Sequence, residues 1–516
     1  MKLSRYTLKN ISSDDVEVPD ESVFELPEKV LQFGTGVLLR GLPDYFIDKA
    51  NREGNFNGRV VVIKSTSHGD TSAYEKQDGL FTHCLRGIRD NKLVEKNIIN
   101  SSISRVLNAG TEWKSILECA HNSNLQVIIS NTTEVGIQLV NDDIRDHPPV
   151  SFPGKLLAFL LERFQAFGGS ARSGMVIIPT ELISENGTKL QSIVLELAHL
   201  NSLPDDFIEW LENHNHFCNS LVDRIVPGKP ATEIRKDIES NLGYEDDLLI
   251  MSEVYSLWAI EGDEKVKNIL SFAASDESVV IVPDINKYRE LKLRLLNGTH
   301  TLSCGLAFLS GCETVNAAME DETLSHYVSN LMQFELAPSI PYSIELQDAV
   351  AFGETVLERF RNPYIQHKWI SITMNYSAKM KLRCIPMLMK HYLESDQVPE
   401  LFALGFAAYI AFMKPVIKKD EGYYGLYQDQ EYPIHDDMAP EFYKRWAGLS
   451  AVSLVKEVLA DDEYWGVDLS LLPGFQQSVT HKLNQLLENG TKSALQDLSK
   501  MYQPNEPYNN QDTPGR

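Results

Sequence analysis

The stretch VLQFGTGVLL, residues 30–39, has the pattern of a buried strand, a glycine turn and the start of a helix. Gly34 allows a tight turn, and Gly36 lets the backbone approach a diphosphate near the positive end of the helix. Leu39 stands where the dinucleotide fingerprint G-x-G-x-x-G has its third glycine, which widens the expected approach of the helix to the strand. The turn alone is therefore a weak prediction of nucleotide binding.

The sequence around this turn predicts two domains. From about residue 29 to 285, short β-branched runs alternate with helical patterns, which is typical of βαβ units and a mostly parallel sheet. After about residue 286 the helical period dominates, and the stretch at 420–440 is predicted to be an ordered loop. We expect an α/β fold, with a Rossmann-like domain at 1–284, a predominantly α-helical domain at 285–502 and a flexible tail at 503–516.

Charge and composition limit the possible partners. The 48 Lys and Arg residues against 72 Asp and Glu residues give a formal net charge of −24, which argues against nucleic acids and anionic membranes. The N-terminus lacks the apolar core of a signal peptide, so we expect a cytoplasmic protein. The six cysteines are scattered without a C-x-x-C pair, so we expect free thiols and no bound metal. The apolar segment at 401–413 is predicted to be a buried helix.

The end of the second predicted strand leaves the choice between NAD and NADP open. An acidic residue commonly binds the ribose hydroxyls of NAD at this point, but the strand ends in Ile63, Lys64, Ser65 and Thr66. Lys64 is either a partner for a 2′-phosphate or a solvated lysine at a strand end. The sequence signal that normally favours NAD is therefore missing.

The segment KLRLLNGTH, residues 292–300, holds the candidate catalytic residues. On a continuous helix Lys292, Asn297 and His300 lie on one broad face, although the Asn297-Gly298 pair is a possible helix break. Burial beside leucines would lower the pKa of Lys292 and suit it to acid/base transfer. The amide and the imidazole are then suited to polarising a carbonyl oxygen. From the spacing alone, three solvated or helix-capping residues remain an alternative.

K-x4-N-x2-H after a Rossmann-like domain and before a helical one resembles the polyol-specific long-chain dehydrogenase family. Further segments resemble the family as well: FGTGVLLRG at 33–41, SNTTEVG at 130–136, CNSLVDRIVPG at 218–228 and RFRNPYIQH at 359–367. The resemblance implies an NAD-dependent, metal-independent oxidoreductase with a lysine as general acid/base. Within the family, the similarity is greatest to members that reduce a hexuronate, so a small anionic sugar is the expected substrate.

The resemblance also implies the roles of individual residues. Lys292 is the expected acid/base, with Asn297 and His300 holding the reacting oxygen. The expected cofactor contacts come from Phe33, Gly34, Gly36, Val37, Arg40, Lys64, Thr133 and Glu134. The expected substrate contacts come from Asn186, Asp223, Arg359, Arg361, His367 and Lys379, and Arg359 is the favoured carboxylate ligand.

Two of these assignments have a weaker basis. Asn186 follows Glu181-Leu182, where the polyol enzymes commonly have Asp-Asn, and Asp223 before Arg224 also fits a structural ion pair. The whole chain has alternatives as well. They are a reductase of another ketohexuronate, a dehydrogenase of neutral polyols, and a nucleotide-binding regulatory protein on a dehydrogenase scaffold.

Overall fold

The computed structural model describes residues 1–12, 14–65, 70–132, 136–419 and 422–499. The chain forms two compact units that divide between Ile285 and Asn286, and each unit has a hydrophobic core of its own. The expected tail at 503–516 lies outside the described residues. In the described part of the chain, no helix is long and apolar enough to cross a membrane.

The first unit contains the strands that the β-branched runs predict, together with several that they do not. Its strands are β1 (Glu28–Phe33), β2 (Arg59–Lys64), β3 (Phe81–Arg89), β4 (Lys92–Asn100), β5 (Ile103–Asn108), β6 (Val127–Ser130), β7 (Val176–Pro179), β8 (His216–Phe217), β9 (Ser220–Asp223), β10 (Ile250–Glu253), β11 (Leu257–Glu261) and β12 (Val279–Val282).

A six-stranded parallel sheet in the order β5-β2-β1-β6-β7-β8 forms the centre of the first unit. Alternate residues of β1 pack into different cores, Leu31 and Phe33 into one and Val30 into the other. Both faces of the sheet are therefore covered, which explains why the parallel strands are continuous apolar runs. The chain order reverses at β1, whose neighbours are β2 and β6, and ligands bind at such a switch point in open α/β sheets. The Rossmann-like prediction is confirmed.

The helices of the first unit connect and cover these strands. They are α1 (Val37–Gly41), α2 (Pro43–Arg52), α3 (Ser72–Lys76), α4 (Ala109–Glu118), α5 (Phe152–Ala166), α6 (Asn186–Leu200), α7 (Asp205–His214), α8 (Thr232–Leu242) and α9 (Glu264–Ile269). The helical pattern after the glycine turn forms two helices, because Leu42 leaves the helical region at φ −130° and Pro43 starts α2.

Two small sheets complete the first unit. Strands β10, β3 and β4 form one, and β12, β11 and β9 form the other, so the predicted strand at 279–282 lies outside the main sheet. The hairpin between β3 and β4 turns at Asp90 and Asn91, both with positive φ. These residues tolerate the left-handed region, but they carry a weaker hairpin signal than Asn-Gly or Asp-Gly.

The second unit is predominantly helical, as expected. Its helices are α10 (Asn286–Leu291), α11 (Thr299–Leu309), α12 (Val315–Glu320), α13 (Glu322–Asn330), α14 (Leu346–Phe360), α15 (Trp369–Ile372), α16 (Tyr376–Lys379), α17 (Ile385–Glu394), α18 (Glu400–Phe412), α19 (Ala439–Gly448), α20 (Ala451–Leu459), α21 (Asp462–Trp465) and α22 (Phe475–Ser499). Every residue of α18 after Glu400 is buried, which confirms the buried helix expected there.

Part of the segment predicted to be a loop in the second unit is a sheet. Strands β13 (Ile417–Lys419), β14 (Gly422–Tyr427) and β15 (Gln430–Ile434) form an antiparallel meander. The β14–β15 turn uses Gln428 and Asp429 at positive φ. The loop prediction for this part of 420–440 was wrong because the many polar and tyrosine residues concealed the strand alternation.

Candidate active site

The glycine turn closes the carboxyl end of β1. Gly34 has φ +133°, and its N–H donates to the Ile63 carbonyl over 3.0 Å. A Cβ atom at Gly34 would lie 2.8 Å from the Leu39 side chain and 3.0 Å from the Asn131 carbonyl oxygen. Glycine is therefore required here for the backbone conformation and for space, whatever binds at the turn.

Gly36 differs from Gly34 in its surroundings. It precedes the first residue of α1, and, apart from its chain neighbours, a Cβ atom at this position would meet no atom of the described residues within 4 Å. The Gly36 backbone thus borders open space at the start of a helix, beside the switch point of the sheet. This arrangement fits the diphosphate of a dinucleotide, which needs close backbone approach and exposed N–H groups. The neighbouring residues Phe33 and Val37 end β1 and begin α1.

The VDRIVPG segment, residues 222–228, packs against helix α1. The buried guanidinium of Arg224 donates to the Gly41 carbonyl over 2.7 Å and to the Glu253 carbonyl over 3.0 Å. A Cβ atom on Gly41 would lie 2.8 Å from Val226, so helix and segment are in close contact. Arg224 therefore positions the helix of the glycine turn. Asp223, the residue expected to contact substrate, is buried at the end of β9.

The two basic residues expected near the cofactor are both buried. Arg40 donates to the Leu248 carbonyl and lies over the rings of Phe81 and Tyr74, so its charge is used inside the first unit. Lys64 is only 4% exposed, which rules out the solvated lysine that was one of its two interpretations.

Polar side chains at the ends of β6 and β7 are already paired. Glu181 accepts from the Thr132 N–H over 2.7 Å and from the Ser130 hydroxyl over 3.2 Å. Asn186 donates to the carbonyls of Pro179, Glu181 and Ser220, and its oxygen accepts from two backbone N–H groups. These bonds leave no polar atom of Asn186 for the expected substrate contact. Thr133 and Glu134 lie outside the described residues.

In the second unit, the K-x4-N-x2-H segment forms a π turn. The turn spans Lys292–Gly298 and leads directly into α11, so the Asn297-Gly298 pair does not break the helix. A π turn bonds each residue to its fifth successor, which brings Asn297 closer to the face of Lys292 than a regular α-helix does. Single π turns recur at functional sites. Lys292 and Asn297 are both partly buried, between the buried Leu291 and Gly298.

His300 lies among aromatic rings. Its imidazole stacks on Phe360 with centroids 4.3 Å apart and meets His367 edge-on at 5.2 Å. The residue is 7% exposed, and its Nε2 atom has no hydrogen-bond partner among the residues that the structure describes. The Trp369 ring meets the His300 imidazole edge-on, with centroids 5.9 Å apart. Its buried Nε1 atom likewise has no hydrogen-bond partner among the described residues. Buried polar atoms of this kind commonly mark a place where a ligand or water binds.

Three cations, Arg359, Lys379 and Arg383, and the His367 imidazole surround His300. Burial lowers its pKa first, and the charges of His367, Arg359, Arg383 and Lys379 then hold that pKa well below its usual range. The His300 imidazole is therefore neutral at neutral pH. Burial also lowers the pKa of His367, with Lys379 and Arg359 adding to the effect. Such a concentration of positive charge in a chain with a net charge of −24 favours an anionic ligand.

The sequence identified most of this cluster, but not all of it. The structure brings Arg359, His367 and Lys379 into the surroundings of His300, as expected. Arg361 ends α14 and is not among the charges that act on His300. Arg383 was missed, although it lies four residues after Lys379, a spacing that indicates a shared helical face.

Comparison with known proteins agrees with this architecture. Residues 28–272 match the Mannitol dehydrogenase Rossmann domain, and residues 284–487 match the Mannitol dehydrogenase C-terminal domain. The altronate oxidoreductase of Halalkalibacterium halodurans is 38% identical over 482 residues, 91% of this chain and 93% of that protein. That of Bacillus subtilis is 38% identical over 476 residues, 92% and 95% of the two chains. That of Yersinia pestis is 35% identical over 478 residues, 91% and 96%.

Solved structures share the fold at lower identity. Pseudomonas fluorescens mannitol 2-dehydrogenase, in a ternary complex with NAD and D-mannitol, has a TM-score of 0.66 and 22% identity, covering 97% of this chain and 100% of that one. A D-sorbitol dehydrogenase in substrate-free form has a TM-score of 0.76 and 19% identity, covering 96% and 100%. With both domain descriptions and the relatives above 30% identity matched over most of its length, this chain belongs to the mannitol dehydrogenase family.

Proposed function

We propose that this protein is an NAD(H)-dependent altronate oxidoreductase that interconverts altronate and tagaturonate. Relatives with 35–38% identity over more than nine-tenths of the chain bear that name. The observation that carries the proposal is the surroundings of His300, a neutral imidazole with an unpartnered Nε2 among the described residues and three cations around it. A substrate with both a keto group and a carboxylate matches this combination.

The charge of the substrate is the main physical argument. An ionised sugar acid approaching a chain of net charge −24 is repelled unless local cations reverse the field. Arg359, Lys379 and Arg383 supply that reversal around His300. A neutral polyol gains little from such a cluster, whereas a carboxylate gains charge-assisted hydrogen bonds from it. The cluster therefore favours a sugar acid over a neutral polyol.

In the proposed reaction, Lys292 moves the proton. During reduction, the keto carbon gains a hydride and the oxygen takes a proton from the Lys292 ammonium, which leaves a neutral amine. During oxidation, the neutral amine removes the proton of the reacting hydroxyl. This chemistry requires no metal, because the lysine supplies the acid and base function itself.

Asn297 and His300 stabilise the reacting oxygen in this proposal. Both side chains carry an N–H donor, and donors aimed at an oxygen that gains negative charge lower the barrier to its formation. The low pKa of His300 matters here, because a neutral imidazole donates a hydrogen bond without competing with Lys292 for the role of acid.

The glycine turn would hold the cofactor, with the backbone at Gly34, Gly36 and Val37 facing the diphosphate. When bound, the nicotinamide ring supplies hydride transfer. The burial of Lys64 supports NAD over NADP, because a lysine with 4% exposure that already has other interactions does not present a free charge to a 2′-phosphate.

One assay tests class, cofactor and substrate together. NADH and NADPH oxidation is followed by absorbance with tagaturonate, fructuronate and fructose as separate substrates. We expect the highest kcat/KM with NADH and tagaturonate. A higher kcat/KM with fructuronate would assign the other ketohexuronate, equal use of fructose would assign a neutral polyol dehydrogenase, and no turnover would support a regulatory protein.

A further inference from the structure

Two cations near His300 form no ion pair within the described part of the second unit. Lys379 Nζ donates to the Ile372 carbonyl over 2.9 Å, and Arg383 Nη1 donates to the Thr301 hydroxyl over 3.2 Å. Both of these partners are neutral. Neither side chain forms an ion pair with a carboxylate among the described residues, although acidic residues far outnumber basic ones in the chain.

A neighbouring arginine shows what a structural guanidinium looks like here. Arg294 is buried, pairs with Glu290 over 2.8 Å and donates to the carbonyls of Leu382 and Arg383. Its charge is therefore neutralised within the unit. Arg383, on the π turn Met380–Cys384, is also partly buried, but the side chain to which it donates is a hydroxyl. A buried charge without a partner is costly, so its retention indicates that a partner arrives from outside.

Asp436, the acidic group whose charge acts on Lys379, is already hydrogen-bonded to other residues. Asp436 accepts from the Ser377 N–H and from the Ser377 hydroxyl, both over 2.7 Å, and from the Met438 N–H over 2.9 Å. Its carboxylate therefore anchors the start of α16. Meanwhile burial and the charge of Arg383 both lower the pKa of Lys379, as expected for two cations held close together. An anion between them would relieve this repulsion.

His300 provides the second and independent observation. Its unpartnered Nε2 is more than nine-tenths buried, and the next residue, Thr301, accepts the hydrogen bond from Arg383. A donor suited to a keto oxygen and the contact of a guanidinium suited to a carboxylate thus lie on consecutive residues of α11, and Lys379 is close enough to act on the pKa of His300. This arrangement matches a ligand that carries both groups.

We propose that Lys379 and Arg383 form the binding site for the substrate carboxylate, and that Arg383 determines the preference for a sugar acid over its neutral analogue. This proposal rests on the function proposed above. Arg383 uses one of its five N–H donors on Thr301, so the remaining donors can meet a carboxylate in the bidentate geometry that guanidinium groups favour. Lys379 contributes a point charge from one turn earlier. Arg359, favoured by the sequence, then acts as a neighbouring charge.

The test compares an anionic ligand with an uncharged one in Arg383→Gln, Lys379→Gln and Arg383→Lys. Binding of altronate and of its neutral analogue altritol to the NADH-loaded enzyme is measured by calorimetry, and KM is measured for tagaturonate. We expect each Gln variant to weaken altronate binding and raise the KM for tagaturonate by about 10- to 100-fold, as for lost hydrogen bonds to a charged group. Altritol binding should change little, and Arg383→Lys should recover part of the loss.

Lys381→Gln is the matched control. Lys381 lies on the same π turn and carries the same charge, but it packs over the ring of Tyr464. Its removal should leave altronate binding unchanged. Equal losses for altronate and altritol, or equal effects of Lys381→Gln and Arg383→Gln, would overturn the proposal.

These measurements distinguish a failure of the proposed function from a failure of the proposed carboxylate site. A wild-type enzyme that binds altronate through Arg383 but does not reduce tagaturonate would refute the function and leave the anion site in place. A wild-type enzyme that reduces tagaturonate with the same KM as Arg383→Gln and Lys379→Gln would refute the site alone. Circular dichroism and unfolding midpoints identify any variant that fails to fold, and the second Gln variant then decides the question.

Discussion

Lys292 is the residue on which the proposed chemistry depends most directly. It begins a π turn that also carries Asn297, and it is partly buried. Lys292→Ala should lower kcat by about 10²- to 10⁴-fold, the usual contribution of a general acid or base, with NADH binding nearly unchanged. Steady-state kinetics and a fluorescence titration of NADH measure the two effects. Lys287→Ala, which removes an exposed lysine paired with Asp348, is the control, and near-normal kcat in Lys292→Ala would contradict the assignment.

The protonation state of His300 gives a second test at the residue scale. Because burial and the neighbouring charges hold its pKa well below the usual range, the imidazole should remain neutral as the pH falls from 8 through 6.5, where a free histidine titrates. NMR titration of the ring should show no protonation in that interval. His300→Ala should lower kcat by about 10²- to 10³-fold if the imidazole is a donor to the reacting oxygen. A ring that titrates near pH 6.5 would refute the neutral donor.

At the scale of elements, we expect the two glycines of the turn to serve different purposes, Gly34 the backbone conformation and Gly36 the binding of the cofactor. Gly36→Val should weaken NADH binding and leave stability nearly unchanged, because the new side chain enters open space at the start of α1. Gly34→Val should cost about 1–3 kcal/mol of stability, because φ is +133° and the Leu39 side chain lies 2.8 Å from the new Cβ atom. Unfolding midpoints and NADH titrations distinguish the two. Unaltered NADH affinity in Gly36→Val would place the cofactor elsewhere.

Periodicity predicted the elements whose surroundings are uniform. The strands of the main sheet are apolar throughout because both faces are covered, and α18 is apolar throughout because it is buried on every side. The β13–β15 meander was missed because its tyrosines, which are partly or fully buried, alternate with polar and charged residues and gave no clear apolar period. Sequence patterns are limited in a similar way at the candidate site. Arg224 is adjacent to Asp223 in sequence, but its contacts with Gly41 and Glu253 depend on long-range packing that spacing does not reveal.

At the scale of the whole molecule, two buried histidines make stability sensitive to acid. Burial and the charges of Arg224 and Arg40 lower the pKa of His83 well below its usual range, and His300 is shifted in the same direction. Both rings are neutral when folded, but the unfolded chain binds protons at these positions below about pH 6.5. The free energy of unfolding should therefore fall as the pH drops below 6.5. Urea-unfolding midpoints of wild type and His83→Gln check this, and an equal acid dependence in the two would contradict the role of His83.

Asp44 should make the free energy of unfolding depend on pH in the direction opposite to the histidines. It is fully buried on α2, and burial raises its pKa to about 7, against the effects of Gln32 and Arg40. A proton on the carboxyl also supplies a donor where Asp44 Oδ1 and Gln32 Oε1 have no partner among the described residues. The folded state thus holds a proton that the unfolded chain releases near pH 4, so this stabilisation is complete at low pH and is lost as the pH rises to 7.

Asp44→Asn isolates this contribution, because the amide resembles the protonated carboxyl and does not titrate. Relative to wild type, the variant should become more stable as the pH rises from 5 to 7.5, by about 2.5 kcal/mol for a shift of this size over this interval. Urea unfolding at a series of pH values measures the difference, and both histidine contributions cancel in it because both chains retain them. A difference that does not vary with pH would show that Asp44 is ionised in the folded protein, and the pair of unpartnered acceptors would then need another donor.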